Sequence, residues 1–237
     1  MPGHIVTSYD TDLAALDRMI AEMGGQCEQL LTNAFAALER RDPKRAEIAV
    51  ASDRAVDDLE RNLQDKAIQM IARRQPMAND LRHVMTVIKI ASDLERIGDL
   101  AKNIAKRAIA VAHETPPKPL LIGLRHMTEH ALEQLKDVLD AYAERDAKKA
   151  MAVWHDDARI DLLYNSLFRE MLTYMMEDPR NIGLCTHLLF GAKNIERIGD
   201  HTTNIAENIH YLVHGTLPDG DRPKSNEASS FFTEPKS

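Results

Sequence analysis

Eight acidic residues occur in this sequence as four pairs, and the members of each pair are four positions apart. On a helix, residues at this spacing lie one turn apart on the same face. Two such pairs on neighbouring helices gather four carboxylates, the oxygen ligands that magnesium, manganese and iron prefer. The pairs are Asp53 with Asp57, Glu95 with Asp99, Asp157 with Asp161, and Glu196 with Asp200. The spacing therefore predicts two metal-binding clusters of four acids each.

An internal repeat places these pairs at equivalent points of two halves. The segment ERIGD, residues 95–99, occurs again as residues 196–200, an offset of 101 (196 − 95). The other two pairs repeat with an offset of 104 (157 − 53), so the three extra residues fall in the connection between the two blocks. Such self-similarity indicates that one structural unit has been used twice.

Three features favour a bound cation over a merely solvated acidic face. Like charges at i, i+4 disfavour a helix by roughly 0.2–0.5 kcal/mol per pair, yet the arrangement appears four times. Gly98 and Gly199 lie within the predicted helices, where glycine costs about 1 kcal/mol relative to alanine, so we expect something to approach the backbone there. A bound cation would also offset the repulsion between carboxylates on adjacent helices. The alternatives are arginine-mediated binding of a partner and internal neutralisation by Arg96 and Arg197.

Six long stretches have apolar residues at every third or fourth position, which is typical of amphipathic helices. The first four span about residues 10–40, 43–73, 79–113 and 120–144; the fifth reaches Met176, and the sixth runs to about His214. We expect Gly24-Gly25 to loosen or bend the first helix. Since apolar residues such as Ile97 and Ile104 lie opposite the acids, we expect the acid pairs to line an outer groove of each bundle, not its dry core.

These stretches predict an all-α protein of two tandem three-helix bundles related by internal pseudo-symmetry. The first bundle spans residues 9–114 and the second residues 120–214, with a proline-rich connector at residues 114–119. Gly215 is a plausible stop for the last helix. Residues 215–237 form a polar tail that we expect to be disordered, with Phe231-Phe232 as its only apolar feature.

Composition argues against several classes of function. A net charge of −7 and a pI near 5.8 argue against a general nucleic-acid surface. Cys27 and Cys185 are far apart, which indicates neither a disulfide framework nor a zinc ribbon and suits a reduced, cytoplasmic setting. The first residues lack the pattern of a secretion signal, and no apolar run approaches the ~20 residues that would cross a bilayer. We therefore expect no membrane insertion.

The sequence offers no visible catalytic constellation. It has no phosphate-binding glycine loop, no dinucleotide fingerprint and no nucleophile with an activating partner. Glu207 and His210 match half of a carboxylate-bridged di-iron signature, but the equivalent first-half residues are Lys106 and Ile109. We interpret Glu207 and His210 as a surface pair and expect the protein not to be an enzyme.

Two further runs extend the repeated motif: residues 74–82 (RQPMANDLR) lead into residues 92–99 (SDLERIGD), and residues 192–207 (AKNIERIGDHTTNIAE) contain its second copy. The first of these resembles the first repeat of the PhoU family of phosphate-transport accessory proteins, and the second resembles the second repeat. The resemblance covers about residues 9–214, and the family fold of two three-helix bundles agrees with the periodicity. The second half lacks the RQP…DLR run, having Asn181, Ile182 and Gly183 in place of Asp80, Leu81 and Arg82.

The resemblance also implies site residues and cofactors. All eight acids match the family's acid-x-x-x-acid motifs, which hold metal clusters on the bundle surface in some members. The implied cofactor is a divalent or ferric ion (iron, zinc, manganese or magnesium).

The family resemblance further implies a cytoplasmic, non-enzymatic signalling adaptor. It would link the ATPase of a phosphate ABC transporter to a membrane sensor histidine kinase, and in phosphate excess it would restrain both phosphate uptake and the phosphate-starvation response. A homodimer is the expected assembly. One alternative is an accessory regulator of another ion transporter that is built from the same module. A second, less favoured, is a carboxylate-bridged metal enzyme, which would need Glu-x-x-His motifs facing inward in both halves.

Overall fold

The protein is all-helical over the part of the chain that its computed structural model describes, residues 3–220 for the backbone and 11–220 for the side chains. No strand occurs within these residues. The elements are α1 (Gly3–Arg40), α2 (Pro43–Arg74), α3 (Asn79–Ala110), α4 (Lys118–Glu144), α5 (Ala147–His155), α6 (Asp157–Glu177), a short 3-10 turn (Pro179–Asn181) and α7 (Ile182–His214). The predicted all-α class is confirmed.

The helices form two bundles that pack side by side. Helices α1, α2 and α3 form the first bundle, and α4, α5, α6 and α7 form the second. Between the bundles, α3 lies against α7 and α1 lies against α4. Helices α3 and α7 are antiparallel, since Asp93 contacts His201 while the later Arg107 contacts the earlier His187. Helices α1 and α4 are antiparallel as well, since Asp17 contacts Tyr142 while the later Glu39 contacts the earlier Arg125. The predicted pair of three-helix units with internal pseudo-symmetry is therefore confirmed, although one helix of the second unit is divided.

Equivalent turns join the first two helices of each bundle. Arg41 and Arg145 adopt the left-handed conformation, with φ of 54° and 55°, and each is followed by an aspartate. The Asp42 carboxylate accepts a hydrogen bond from the Arg45 backbone N–H at 3.1 Å, and Asp146 accepts bonds from the next helix in the same way. These side chains satisfy N–H groups that would otherwise lack a partner at a helix N-terminus.

The fifth predicted helix is not continuous. It is divided at Asp156, whose backbone (φ −86°, ψ 0°) leaves the helical region between α5 and α6. The buried imidazole of His130, on α4, lies 3.3 Å from the Asp156 carboxylate through its Nε2 atom. We attribute the break to this contact, because the equivalent first-half residue, Ser52 (156 − 104), lies within an uninterrupted α2. The prediction of one unbroken helix was wrong here.

Helix α1 is not interrupted at Gly24-Gly25 and runs to Arg40. A Cβ atom on Gly24 would lie 2.6 Å from Cδ1 of Leu139 on α4, so alanine there would require this side chain to move. Helix α3 ends at Ala110, three residues before the predicted end, whereas α7 ends at His214 as predicted. Gly215 caps α7 with φ 79°, and its N–H donates to the Tyr211 carbonyl at 2.8 Å.

The core consists of the apolar stripes that the periodicity predicts. Leu94, Ile97 and Ile104 are completely buried on α3, and Ile195, Ile198, Ile205 and Ile209 are buried on α7. The predicted tail beyond residue 220, with Phe231-Phe232, lies outside the described residues. Within residues 3–220, no helix is both long and apolar enough to cross a membrane.

Candidate cation clusters

Each half brings its predicted acids towards one another along the contact between two helices. In the first half, α2 supplies Asp53 and Asp57, and α3 supplies Glu95 and Asp99. Asp57 and Asp99 both raise the pKa of Asp53 by charge repulsion, so the carboxylates act on one another across the two helices. A further acid that the sequence analysis missed, Glu60, joins this group because it repels Glu95.

In the second half, α6 supplies Asp157 and Asp161, and α7 supplies Glu196 and Asp200. Charge repulsion from Asp161 and Asp200 acts on Glu196, so these acids also lie within electrostatic reach of one another. The residue equivalent to Glu60 is Tyr164 (60 + 104), and the second cluster therefore has no counterpart of the additional acid.

The glycines within the motifs allow the two helices of each cluster to approach. A Cβ atom on Gly98 would lie 3.3 Å from Cγ1 of Val56, and one on Gly199 would lie 3.1 Å from Cγ2 of Ile160. The close approach that the glycines predict is therefore present. What approaches is the neighbouring helix of the same bundle, α2 or α6, so these glycines give no separate indication of a ligand.

Two of the eight acids do not lie in an outer groove. Asp53 is 3% exposed and Asp157 is 2% exposed, so both are buried beneath their clusters. The other acids are partly exposed; the Asp99 side chain, for example, retains 32% of its surface. The expectation that all the acids line an outer groove is therefore wrong for Asp53 and Asp157. Each cluster extends from a buried carboxylate to an exposed rim.

In the first half, a lysine that the sequence analysis missed neutralises the buried acid. The Lys102 ammonium donates hydrogen bonds to Oδ2 of Asp53 and to Oδ1 of Asp99, each at 2.5 Å. It thereby links α2 to α3 at the centre of the cluster. Its spacing of three residues from Asp99 was visible in the sequence, but its contact with α2 depends on how the helices pack.

Neutralisation by Arg96, part of one alternative considered for the acids, is weaker than that by Lys102. Nε of Arg96 lies 3.5 Å from Glu95 and Nη1 lies 3.8 Å from Asp99, but the arginine side chain is 59% exposed. Exposed ion pairs of this kind contribute at most about 1 kcal/mol. Arg96 therefore lies at the exposed rim of the cluster, while Lys102 neutralises the acids at its centre.

The second half places a neutral residue where the first half has Lys102. The equivalent position is Thr203 (102 + 101), and its hydroxyl oxygen lies 3.0 Å from Oδ1 of Asp157 and 3.0 Å from the Gly199 carbonyl. A different lysine, Lys193, donates to Glu196 at 2.7 Å and is itself half-exposed. The two clusters therefore have equivalent acids but differ in the positively charged side chains that contact them.

Burial and repulsion change the pKa values of these groups. Burial raises the pKa of Asp53, and Asp57 and Asp99 raise it further against the opposing effect of Lys102. Burial likewise raises the pKa of Glu196, Lys193 opposes this, and Asp161 and Asp200 raise it further. Burial alone would lower the pKa of Lys102, but its bonds to Asp53 and Asp99 raise it. Lys102 is therefore fully charged at neutral pH.

The donor set of both clusters consists of carboxylates, which suits hard cations such as magnesium, manganese and iron. Oδ1 of Asp53 and Oε2 of Glu196 are buried atoms for which the described chain supplies no hydrogen-bond donor. Among residues 11–220, however, no group of three or more histidine, cysteine, aspartate or glutamate side chains has a geometry that could hold a metal ion. The metal role of the eight acids stays a prediction.

The remaining candidate residues have structural partners. Glu207 accepts a hydrogen bond from the indole N–H of Trp154 at 2.9 Å, and Nδ1 of His210 lies 2.9 Å from the Thr216 carbonyl oxygen. Both cysteines are buried, and burial raises the pKa of each thiol. Since the thiolate is the reactive form of cysteine, neither Cys27 nor Cys185 is an activated nucleophile.

Comparison with known proteins gives consistent matches along the chain. The family model described as "PhoU domain" matches residues 20–108 and 124–209. A protein named "Phosphate-specific transport system accessory protein PhoU homolog" from Rhizobium meliloti is 55% identical over 228 residues, which cover 96% of each chain. A protein of the same name from Caulobacter vibrioides is 48% identical over 94% of this chain and 97% of its own.

Solved structures also match this chain. The crystal structure of PhoU from Pseudomonas aeruginosa has a TM-score of 0.85 and 36% sequence identity, and covers 88% of this chain and all of its own. The phosphate transport system regulatory protein PhoU from Streptococcus pneumoniae has a TM-score of 0.82 at 28% identity, over 89% of this chain and 99% of its own. Both the fold and its duplication are therefore shared with these proteins.

Proposed function

The chain belongs to the PhoU family, and from this premise we propose that it is a non-enzymatic accessory protein of phosphate transport. The observation that supports the proposal is its identity of 55% to a phosphate-transport accessory protein, over 96% of both chains. A match of this extent includes both bundles, so it concerns the whole chain and not one of its two repeats.

In its finer form, the proposal is that this protein restrains phosphate uptake and the phosphate-starvation response when phosphate is plentiful. It would do so in the cytoplasm, as a homodimer, by binding the transporter ATPase and the cytoplasmic region of a sensor histidine kinase. An adaptor acts by binding one state of its partner more tightly than another, which shifts a population that already exists. A net charge of −7 suits basic patches on such partners.

We also propose that the two acidic clusters are cation sites that hold adjacent helices together. The residues concerned are Asp53, Asp57, Glu95 and Asp99 in the first half, and Asp157, Asp161, Glu196 and Asp200 in the second. A bound iron, manganese, zinc or magnesium ion would supply positive charge that offsets carboxylate repulsion. This role is structural or regulatory and includes no reaction step.

Deletion of the gene tests the regulatory proposal. In phosphate-rich medium, the deletion strain should express phosphate-uptake and phosphate-scavenging genes that the parent strain keeps silent. A second deletion that removes the sensor kinase should restore silence, because the adaptor acts through that kinase. The Gly25→Ala chain, altered at an exposed position outside both clusters, should complement the deletion as well as the wild-type chain does.

A binding experiment tests the proposed partners. Purified protein should bind the kinase's cytoplasmic region or the transporter ATPase, and it should not hydrolyse phosphate esters. Normal phosphate control in the deletion strain, together with a defect that follows potassium or another ion, would contradict the proposal. The chain would then regulate a different transporter.

A further inference from the structure

The first cluster already contains a positive charge at its centre. The Lys102 ammonium lies 2.5 Å from one oxygen of Asp53 and 2.5 Å from one oxygen of Asp99. These two acids come from different helices, α2 and α3, so the ammonium bridges them as a bound cation would. The Lys102 side chain is 21% exposed and that of Asp53 is 4% exposed, which places the charge inside the cluster.

The duplication of the chain provides an internal comparison. Thr203 occupies the position of Lys102 in the second half, and it is completely buried. Its hydroxyl lies 3.0 Å from the buried carboxylate of Asp157, as the Lys102 ammonium contacts the buried carboxylate of Asp53. The same contact is thus made by a cation in one half and by a neutral group in the other.

We propose that Lys102 is the built-in cation of the first half, and that a divalent ion enters this cluster only when the charge of Lys102 is removed. The proposal rests on the proposed role of the acidic clusters as cation sites and narrows it, because Lys102 takes the place of the metal ion in the first cluster of the wild-type protein. The two halves of the duplicated fold are then inequivalent, because the first cluster is closed by a lysine, whereas the second has the neutral Thr203 at the equivalent position.

The atoms around Asp53 show why removal of the lysine charge should open the cluster. Oδ2 of Asp53 would lose the ammonium, and Oδ1 already has no hydrogen-bond partner among the described residues. A buried carboxylate without a compensating charge is strongly unfavourable. It would therefore favour uptake of a hard cation, with Asp57, Glu95 and Asp99 as further oxygen ligands.

Manganese binding to purified, full-length protein tests the proposal. Lys102→Met removes the charge and keeps the length of the side chain, and Lys102→Thr installs the residue of the second half. Both variants should bind about twice as much manganese per chain as the wild-type protein, measured by equilibrium dialysis with elemental analysis. Manganese should also raise their melting temperatures more than that of the wild type.

Two further variants locate the change. Lys106→Met removes an exposed lysine one turn away on the same helix and should leave manganese binding unchanged. Asp99→Asn in the Lys102→Met background should abolish the additional binding, which would place it in the first cluster. If the Lys102→Thr variant does not fold, manganese binding by the Lys102→Met variant tests the proposal.

The possible failures are distinguishable. If wild-type protein binds manganese in both halves, so that Asp53→Asn removes about half of it, the assignment to Lys102 is wrong and the metal role of the clusters stands. If neither the wild-type protein nor the Lys102→Met variant binds manganese, both the assignment to Lys102 and the metal role of the clusters are wrong. Neither result bears on phosphate control, which is tested by gene deletion.

Discussion

Gly24 of α1 lies directly against Leu139 of α4, at a point where the two bundles meet. A Cβ atom added to Gly24 would lie 2.6 Å from Cδ1 and 2.7 Å from Cδ2 of that leucine, whereas one added to the adjacent Gly25 would meet no atom within 4 Å. Two glycines that look identical in the sequence therefore differ in role. Alanine at the first requires the Leu139 side chain to move, and alanine at the second requires no movement.

Alanine substitutions at these two glycines should have different effects on stability. Gly25→Ala should raise the free energy of unfolding by about 1 kcal/mol, because alanine is the better helix former and the space is open. Gly24→Ala makes the same gain in helix propensity, but Leu139 must move, and overpacking typically costs about 1–3 kcal/mol. Urea denaturation should therefore show Gly24→Ala to be the less stable variant. Equal stabilisation by both would show that the Leu139 side chain moves aside without cost.

The sequence predicted features that depend on one helix at a time. Apolar periodicity placed Ile97 and Ile198 in the core, and i, i+4 spacing placed each acid pair on one face. Features that depend on a second helix were missed. Lys102 contacts Asp53 across 49 residues, and the break at Asp156 involves the distant His130. Asp53 lies one helical turn before the buried Val56, and its burial was missed because its charge favoured a position in an outer groove.

A hydrogen-bonded network around Asp17 joins the two bundles and should be needed for their docking. Oδ1 of Asp17 lies 2.9 Å from Nε2 of His83 and accepts a bond from the Tyr142 hydroxyl; Oδ2 accepts a bond from Nη2 of Arg145 at 2.9 Å. Hydrogen bonds to a charged group contribute about 1.5–3 kcal/mol. Asp17→Asn should therefore lower the free energy of unfolding by about 2 kcal/mol at pH 7. Asp12→Asn, which alters a half-exposed acid 3.4 Å from Arg74, should change it by less than about 1 kcal/mol.

The effect of Asp17→Asn should also depend on pH. Burial opposes the shift, but the hydrogen bonds from His83 and Tyr142 and the charges of His83 and Arg145 hold the pKa of Asp17 below its ordinary value of 3.8. The unfolded chain then takes up the proton first on acidification, so this contribution is present above pH 3.8 and is lost as the pH falls through the lower, folded value. The difference between wild type and variant should shrink below pH 3.8. A constant difference would show that the charge of Asp17 is not involved.

The turn between α2 and α3 contains a strained alanine. Ala78, the residue before α3, has φ 50° and ψ −114°, a conformation that glycine adopts far more readily than residues with a Cβ atom. Backbone strain of this kind costs about 1–3 kcal/mol, which glycine would relieve. Glycine also gives the unfolded chain more conformational entropy, which offsets up to about 1 kcal/mol of that gain. Ala78→Gly should therefore raise the free energy of unfolding by about 1 kcal/mol.

A matched control separates this backbone effect from the general effect of glycine. Ala51 is an exposed residue within α2, where glycine should lower the free energy of unfolding by about 1 kcal/mol. The two Ala→Gly variants should thus change stability in opposite directions in thermal and urea unfolding. Destabilisation by both would mean that residue 78 adopts an ordinary conformation in solution.

The second acidic cluster should make the metal-free protein less stable as the pH rises. Burial raises the pKa of Glu196 above its ordinary value of 4.5; Lys193 opposes this shift, while Asp161 and Asp200 increase it. The folded chain therefore binds more protons than the unfolded chain between the ordinary and the raised value, so stability falls as the pH rises through this window and stays lower above it. After removal of metal ions with a chelator, Glu196→Gln should be more stable than wild type at pH 7.5 by at least about 0.5 kcal/mol, because one like-charge pair within α7 and the repulsion across to α6 are both removed.

The advantage of Glu196→Gln should shrink as the pH falls towards 4.5 and disappear below 4.5, where the wild-type carboxyl group is protonated in both states. Glu129→Gln, at an exposed position on α4, should change stability by less than about 0.5 kcal/mol throughout the same range. Urea denaturation of the three proteins between pH 4.5 and pH 7.5 measures both effects. If Glu196→Gln is less stable than wild type at pH 7.5 in the absence of metal, the bond from Lys193 outweighs the repulsion, and the second cluster needs no ion to offset its charge.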